Sequence, residues 1–197
     1  YFGLSATGTP DAANGNDRAL LAMNHEYITP WILHANGGSP RPRPASETDK
    51  EVACHGVSVI EIAKNSAGVF QFVQNSTFNR RLTGETAIEI SGPVRGHPLL
   101  VTAFSPDGTR TRGSLNNCGN GRTPWGTLLT TEENWSGYYF RAAGDNALRT
   151  AKVNSIFQRY GRNVTATSAA NSRYGWETSG PEDKYARWNT SVVGAST

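Results

Sequence analysis

Leu115-Asn116-Asn117-Cys118-Gly119-Asn120-Gly121, then Thr123-Pro124-Trp125-Gly126-Thr127, then Glu132-Glu133-Asn134-Trp135: this run holds the densest set of unusual residues in the chain. A thiol, two adjacent carboxylates, several amides and several glycines are too polar for an ordinary core segment. They are also too specific in type for a generic loop. Charged and amide groups are costly to bury unless something pairs with them, and a bound cation is the simplest partner for a thiolate and carboxylates together. The run reads as half of a metal site carried on two short strands, with Gly126-Thr127-Leu128-Leu129-Thr130-Thr131 leading into the glutamates.

The bulk composition agrees with short strands and many turns. The 197 residues suffice for one domain with a real core. Charged residues make up 18% and apolar residues 37%, with 21 glycines and 10 prolines, as expected where strands are joined by many loops. Aromatics at 10% argue against disorder. The formal net charge is only +3. The basic pairs Arg41/Arg43, Arg80-Arg81 and Arg110/Arg112 lie far apart without an aromatic-interleaved face, which argues against nucleic-acid binding. No apolar run approaches the roughly 20 residues of a membrane-spanning helix. The chain opens on Tyr1-Phe2-Gly3-Leu4 without a signal peptide, which reads as a mature or trimmed product.

Outward from the central run, Arg18–Glu26 reads as an apolar strand ending in Asn24, His25 and Glu26, three ligand-capable side chains at a strand end. Residues 36–50, rich in proline and glycine, read as a surface loop. Val52–Ile62 predicts a central strand, and Val69–Val73 its returning partner across the turn Asn65-Ser66-Ala67-Gly68. Leu99–Phe104 predicts a further strand before Ser105-Pro106-Asp107-Gly108. Ala147–Tyr160 is the one helix expected. The polar tail from Asn163 carries Tyr174, Trp176, Tyr185 and Trp188, which must pack against something. Recurring strand–turn–strand units give an all-β reading compatible with propeller blades or a sandwich.

Cys118 could be a small buried hydrophobe, but its amide and glycine flanks offer N–H donors and close backbone approach, which favours a ligand. Glu132 and Glu133, if extended, point to opposite faces, so only one can look into a given site. His55 reads equally well as a satisfied core histidine or a site residue, and His34 and His97 carry no signal. A Cys54–Cys118 disulfide remains open, as in a small stapled β-domain. Four histidines without metal-binding spacing argue against a zinc hydrolase, and no nucleophile-elbow or phosphate-loop motif is present. One thiolate with several carboxylates suits iron or a mixed cluster better than zinc or calcium alone.

The chain resembles the PhoX-type alkaline phosphatases of bacteria. The resemblance rests on Leu21–Tyr27, His55–Glu61, Asn79-Arg80-Arg81-Leu82-Thr83-Gly84, and the Leu115–Trp135 run, in that order. It implies a β-propeller, of which this chain would form about two blades, with a cluster of ferric iron and calcium (Fe3+ and Ca2+) at its mouth. It further implies hydrolysis of phosphate monoesters, and a periplasmic or secreted location. Carried over by position, Glu26, Cys118, Glu133 and, less firmly placed, Glu132 are metal ligands. Asn117, Asn134 and His55 orient them or face the phosphate. Thr131 stands where the resemblance leads one to expect a cysteine. Family members run to several hundred residues, so the chain is expected to be an N-terminal portion completed by further polypeptide or another chain. The other reading is a catalytically silent propeller-like binding module.

Overall fold

The structure, a computed structural model, describes residues 1–11 and 15–192. Nine strands occur among them: β1 (Phe2–Leu4), β2 (Arg18–His25), β3 (Gly56–Lys64), β4 (Phe70–Phe72), β5 (Arg80–Leu82), β6 (Ala87–Glu89), β7 (Arg110–Arg112), β8 (Asn117–Arg122) and β9 (Leu128–Glu132). The α-helices are α1 (Pro30–Leu33), α2 (Ala45–Ala53), α3 (Ala151–Arg159) and α4 (Asp183–Ala186). The chain divides into two compact units. The first comprises Tyr1–Tyr27, Cys54–Gly84 and Ser114–Glu133; the second comprises Ile28–Ala53, Glu85–Gly113 and the chain from Asn134 onward.

The first unit is a five-stranded antiparallel sheet with a hairpin. β2 lies between β1 and β3, and β3 pairs at its other edge with both β4 and β5. β2 and β3 run in register from Arg18 opposite Ala63 to His25 opposite Gly56, so the polar end of β2 meets the start of β3. Leu4, Ala19, Val57 and Val59 are buried, the small and β-branched side chains that suit a pleated surface. One carboxylate enters this sheet: Glu61 is buried, and its charge is held by Arg18 at 2.6 Å and by the Ser76 hydroxyl at 2.5 Å. At the head of β3, Gly56 has φ +101, and a Cβ there would lie 2.2 Å from the carbonyl oxygen of Leu82. Only glycine lets β5 close against β3 at that point.

β8 and β9 form the hairpin that carries the central run. Asn117 pairs with Glu132 and Asn120 with Thr130, so Cys118 and Gly119 together oppose the single residue Thr131. This is a β-bulge, a device that bends a strand and re-aims a side chain.

The second unit is built on aromatic residues. Tyr138, Trp176, Tyr185 and Trp188 are almost fully buried, with the Trp176 ring 5.3 Å from Tyr138 and 4.9 Å from Trp188. Inside it the Glu51 carboxylate accepts from the Trp176 indole at 2.6 Å and from His34 at 2.9 Å, and it pairs with Arg43. A second buried pair, Arg141 with Asp145 at 2.6 Å, is joined by Arg149. The aromatic tail therefore packs as its composition requires.

The fold is mainly β with few helices, and no closed barrel occurs among the described residues. Three expectations need correction. Residues 36–50 are not all loop, because α2 begins at Ala45 and runs through Val52, leaving β3 to start at Gly56. The side chains α2 buries are Thr48, Glu51 and Val52. Their spacing is helical, but two of the three are polar, so hydropathy hides the stripe. Leu99–Phe104 is not a strand: Pro98–Leu100 is a 3-10 turn capped by His97, whose ring accepts from the Leu99 amide. Without a partner ladder an apolar run has no reason to stay extended. The expected helix over 147–160 is confined to Ala151–Arg159, with Thr150 capping it, and α1, α2 and α4 accompany it.

Candidate metal centre

Three side chains of the first unit converge. Glu26 follows the last residue of β2, Cys118 lies in the bulge of β8, and Glu133 follows the last residue of β9. One carboxylate oxygen from each glutamate and the Cys118 sulfur all lie within 4.8 Å of one another. The thiol is pushed up to about 11, first by hydrogen bonding to Glu133, then by hydrogen bonding to Glu26, with desolvation and both negative charges adding to it. Two carboxylates so placed repel a thiolate. A cation among the three atoms reverses that balance, since it stabilises all three anions at once. The donor set is one soft sulfur and two hard oxygens. The residues present therefore fit a metal.

The backbone around these three side chains is held by amides. Asn24 donates to the Cys118 carbonyl at 2.8 Å and accepts from the Thr130 hydroxyl at 3.0 Å. Asn116, fully buried, donates to the Glu26 carbonyl at 3.3 Å, and its own carbonyl accepts from the Glu133 amide at 3.1 Å. His25 shares a 2.7 Å hydrogen bond with the Ser58 hydroxyl across the β2–β3 ladder, and burial, then the charge of Arg81, lowers its pKa.

The remaining sequence candidates fall elsewhere. The Glu132 carboxylate accepts from the Leu115 amide at 2.8 Å, while Glu133 joins the trio. Asn117 is buried, with its amide donating to Ser114 at 2.8 Å and to Thr130 at 3.1 Å. His55 is fully buried, and its carbonyl accepts from Arg81 at 2.7 Å. Asn134 belongs to the second unit, where it caps the 3-10 turn Trp135–Tyr138 and accepts from the Gly137 amide. Both cysteines are free thiols, so the stapled-domain reading does not hold.

Sequence reasoning gave Asn116 no role of its own. The signal for it lay in residue type, because asparagine tolerates left-handed backbone better than other non-glycine residues. A second trio, His34, Glu47 and Glu51, also lies within 4.8 Å. Its carboxylates already meet Arg43, Ser39, Asn36 and Trp176, so the cation is supplied by the chain itself.

The trio is a candidate metal centre, and comparison supplies the family of the chain. The family model for alkaline phosphatase PhoX matches residues 3–189, and the chain belongs to that family. Among solved structures it is similar to Pseudomonas fluorescens PhoX in complex with vanadate, a transition state analogue, with a TM-score of 0.70 and 35% sequence identity. The match covers 91% of this chain and 30% of that one, so this chain spans less than a third of the length of that relative. No curated protein matches it.

Proposed function

We propose that this chain supplies part of the site of a metal-dependent phosphatase acting on phosphate monoesters. The observation that carries the reading is the convergence of Glu26, Cys118 and Glu133 within 4.8 Å, inside the stretch that the family model matches. A vanadate complex of the relative supports a phosphoryl-transfer site in that protein.

Glu26, Cys118 and Glu133 would hold ferric iron, with calcium beside it. When bound, the cations supply positive charge for phosphate oxygens and for the charge that develops in the transition state. The chain's own contribution is geometric. The bulge at Cys118 aims the sulfur at two strand ends, and Asn24 and Asn116 fix the backbones that bear the ligands. Glu132 secures the Leu115 turn, and Asn117 and His55 support neighbouring backbone or face the phosphate.

The five-stranded sheet and the hairpin would form about two blades of a propeller. Phe2, Leu4, Leu20, Val57 and Val59 line an apolar hollow of about 490 Å3 in the first unit, which the further polypeptide of a PhoX-type protein would cover. A periplasmic or secreted location goes with the family. The alternative reading is a catalytically silent propeller-like metal- or ligand-binding module.

Elemental analysis of the purified protein, paired with hydrolysis of p-nitrophenyl phosphate, separates the two. Bound iron and calcium with turnover support the phosphatase. Bound metal without turnover supports the silent module, and the absence of both metals removes the site.

A further inference from the structure

Asn116 is the sole non-glycine residue with positive φ among the described residues, at φ +52, and its side chain is fully buried. A left-handed backbone at a non-glycine position persists only where the surroundings over-determine it. Here the surroundings are the three ligand-bearing segments. The Asn116 side chain donates to the backbone of Glu26, its carbonyl takes the backbone N–H of Glu133, and Cys118 is two residues along the chain. The carbonyl and the side chain of this one residue thus reach both segments.

We propose that Asn116 is a positioning residue for the metal centre: its buried side-chain amide, carried on the left-handed backbone, ties Glu26 to the segment that bears Cys118 and meets Glu133. The inference rests on the metal reading above. It assigns Asn116 no contact with metal or substrate. Partners that orient metal ligands typically change affinity about 10- to 100-fold when removed.

The test uses Asn116→Gly, which accepts positive φ without strain but cannot donate to Glu26. Iron is quantified by elemental analysis before and during dialysis against EDTA, with thermal unfolding followed in parallel. The expected result is a folded variant that loses iron about 10- to 100-fold faster than wild type. Asn116→Asp, which keeps the conformational preference but lacks the N–H donor, is expected to do the same and serves if the glycine variant fails to fold.

Asn79→Ala is the control. Asn79 makes equivalent backbone bonds in the same unit, to Val73 and Glu61, away from the ligands. It should lower the melting temperature and leave iron loss unchanged. Iron loss in Asn116→Gly equal to wild type overturns the positioning role alone. A wild-type protein that takes up no iron overturns the metal reading and this inference with it. Equal acceleration in Asn79→Ala also overturns it, because general destabilisation then suffices.

Discussion

The side-chain amide of Asn24 donates to the carbonyl of Cys118 at 2.8 Å although 94 residues separate the two. With the Thr130 hydroxyl on the other end of the same amide, Asn24 locks β2 to both strands of the hairpin. Asn24→Ala removes two hydrogen bonds, each worth about 1 kcal/mol. The expected outcome is a destabilisation of about 2 kcal/mol in urea unfolding, with faster loss of iron to chelator.

Cys118→Ser tests the sulfur itself. The side chain is exposed, so the fold should survive with its melting temperature nearly unchanged. Serine oxygen does not replace a thiolate for iron, and iron content by elemental analysis should fall to near zero. Full iron in the variant would leave sulfur without a role.

Adjacent glutamates should separate cleanly. Glu133→Gln removes a charge from the trio and should deplete metal with little effect on stability. Glu132→Ala should keep metal and cost about 1 kcal/mol of stability, because the Leu115 amide loses its acceptor. Metal content and urea unfolding on the two variants provide the check.

Cys118 also fixes a pH dependence. In metal-free protein its thiol titrates at about 11, against an ordinary 9.0, because Glu133 and Glu26 hold the proton on sulfur. The folded state thus binds that proton more tightly than the unfolded state. Between roughly pH 9 and 11 this group makes the metal-free fold less stable as pH rises, and below 9 it has no effect. Alkylation of Cys118 by iodoacetamide in a Cys54→Ala background should reach half its maximal rate near 11, not 9. Metal must displace the same proton, so iron uptake should strengthen by roughly tenfold per pH unit below that value.

Much of the site was legible in residue type and order. Thiol, carboxylate and glycine clustering pointed to Cys118, and of the adjacent glutamates Glu133 joins the trio while Glu132 takes the Leu115 amide. Asn116 was not legible, because a left-handed backbone leaves no pattern beyond the choice of asparagine. The fold was legible where a ladder enforces a strand, as in β2 and β3. It was not legible in α2, where Thr48 and Glu51 occupy the buried face that apolar residues usually mark.

Glu51 supplies a prediction for the second unit alone. Its carboxylate meets Arg43, His34 and Trp176 with no exposure to water. Removing one partner of such a buried ion pair costs about 3–5 kcal/mol. Glu51→Ala should therefore lower stability by that amount in urea unfolding, and variants that still fold should keep the iron of wild type.

X-ray absorption at the iron edge of the purified protein tests the convergence of Glu26, Cys118 and Glu133 most directly. The expected spectrum contains one sulfur scatterer among oxygens in the first coordination sphere. A first sphere of oxygen and nitrogen alone in the wild-type protein would contradict it.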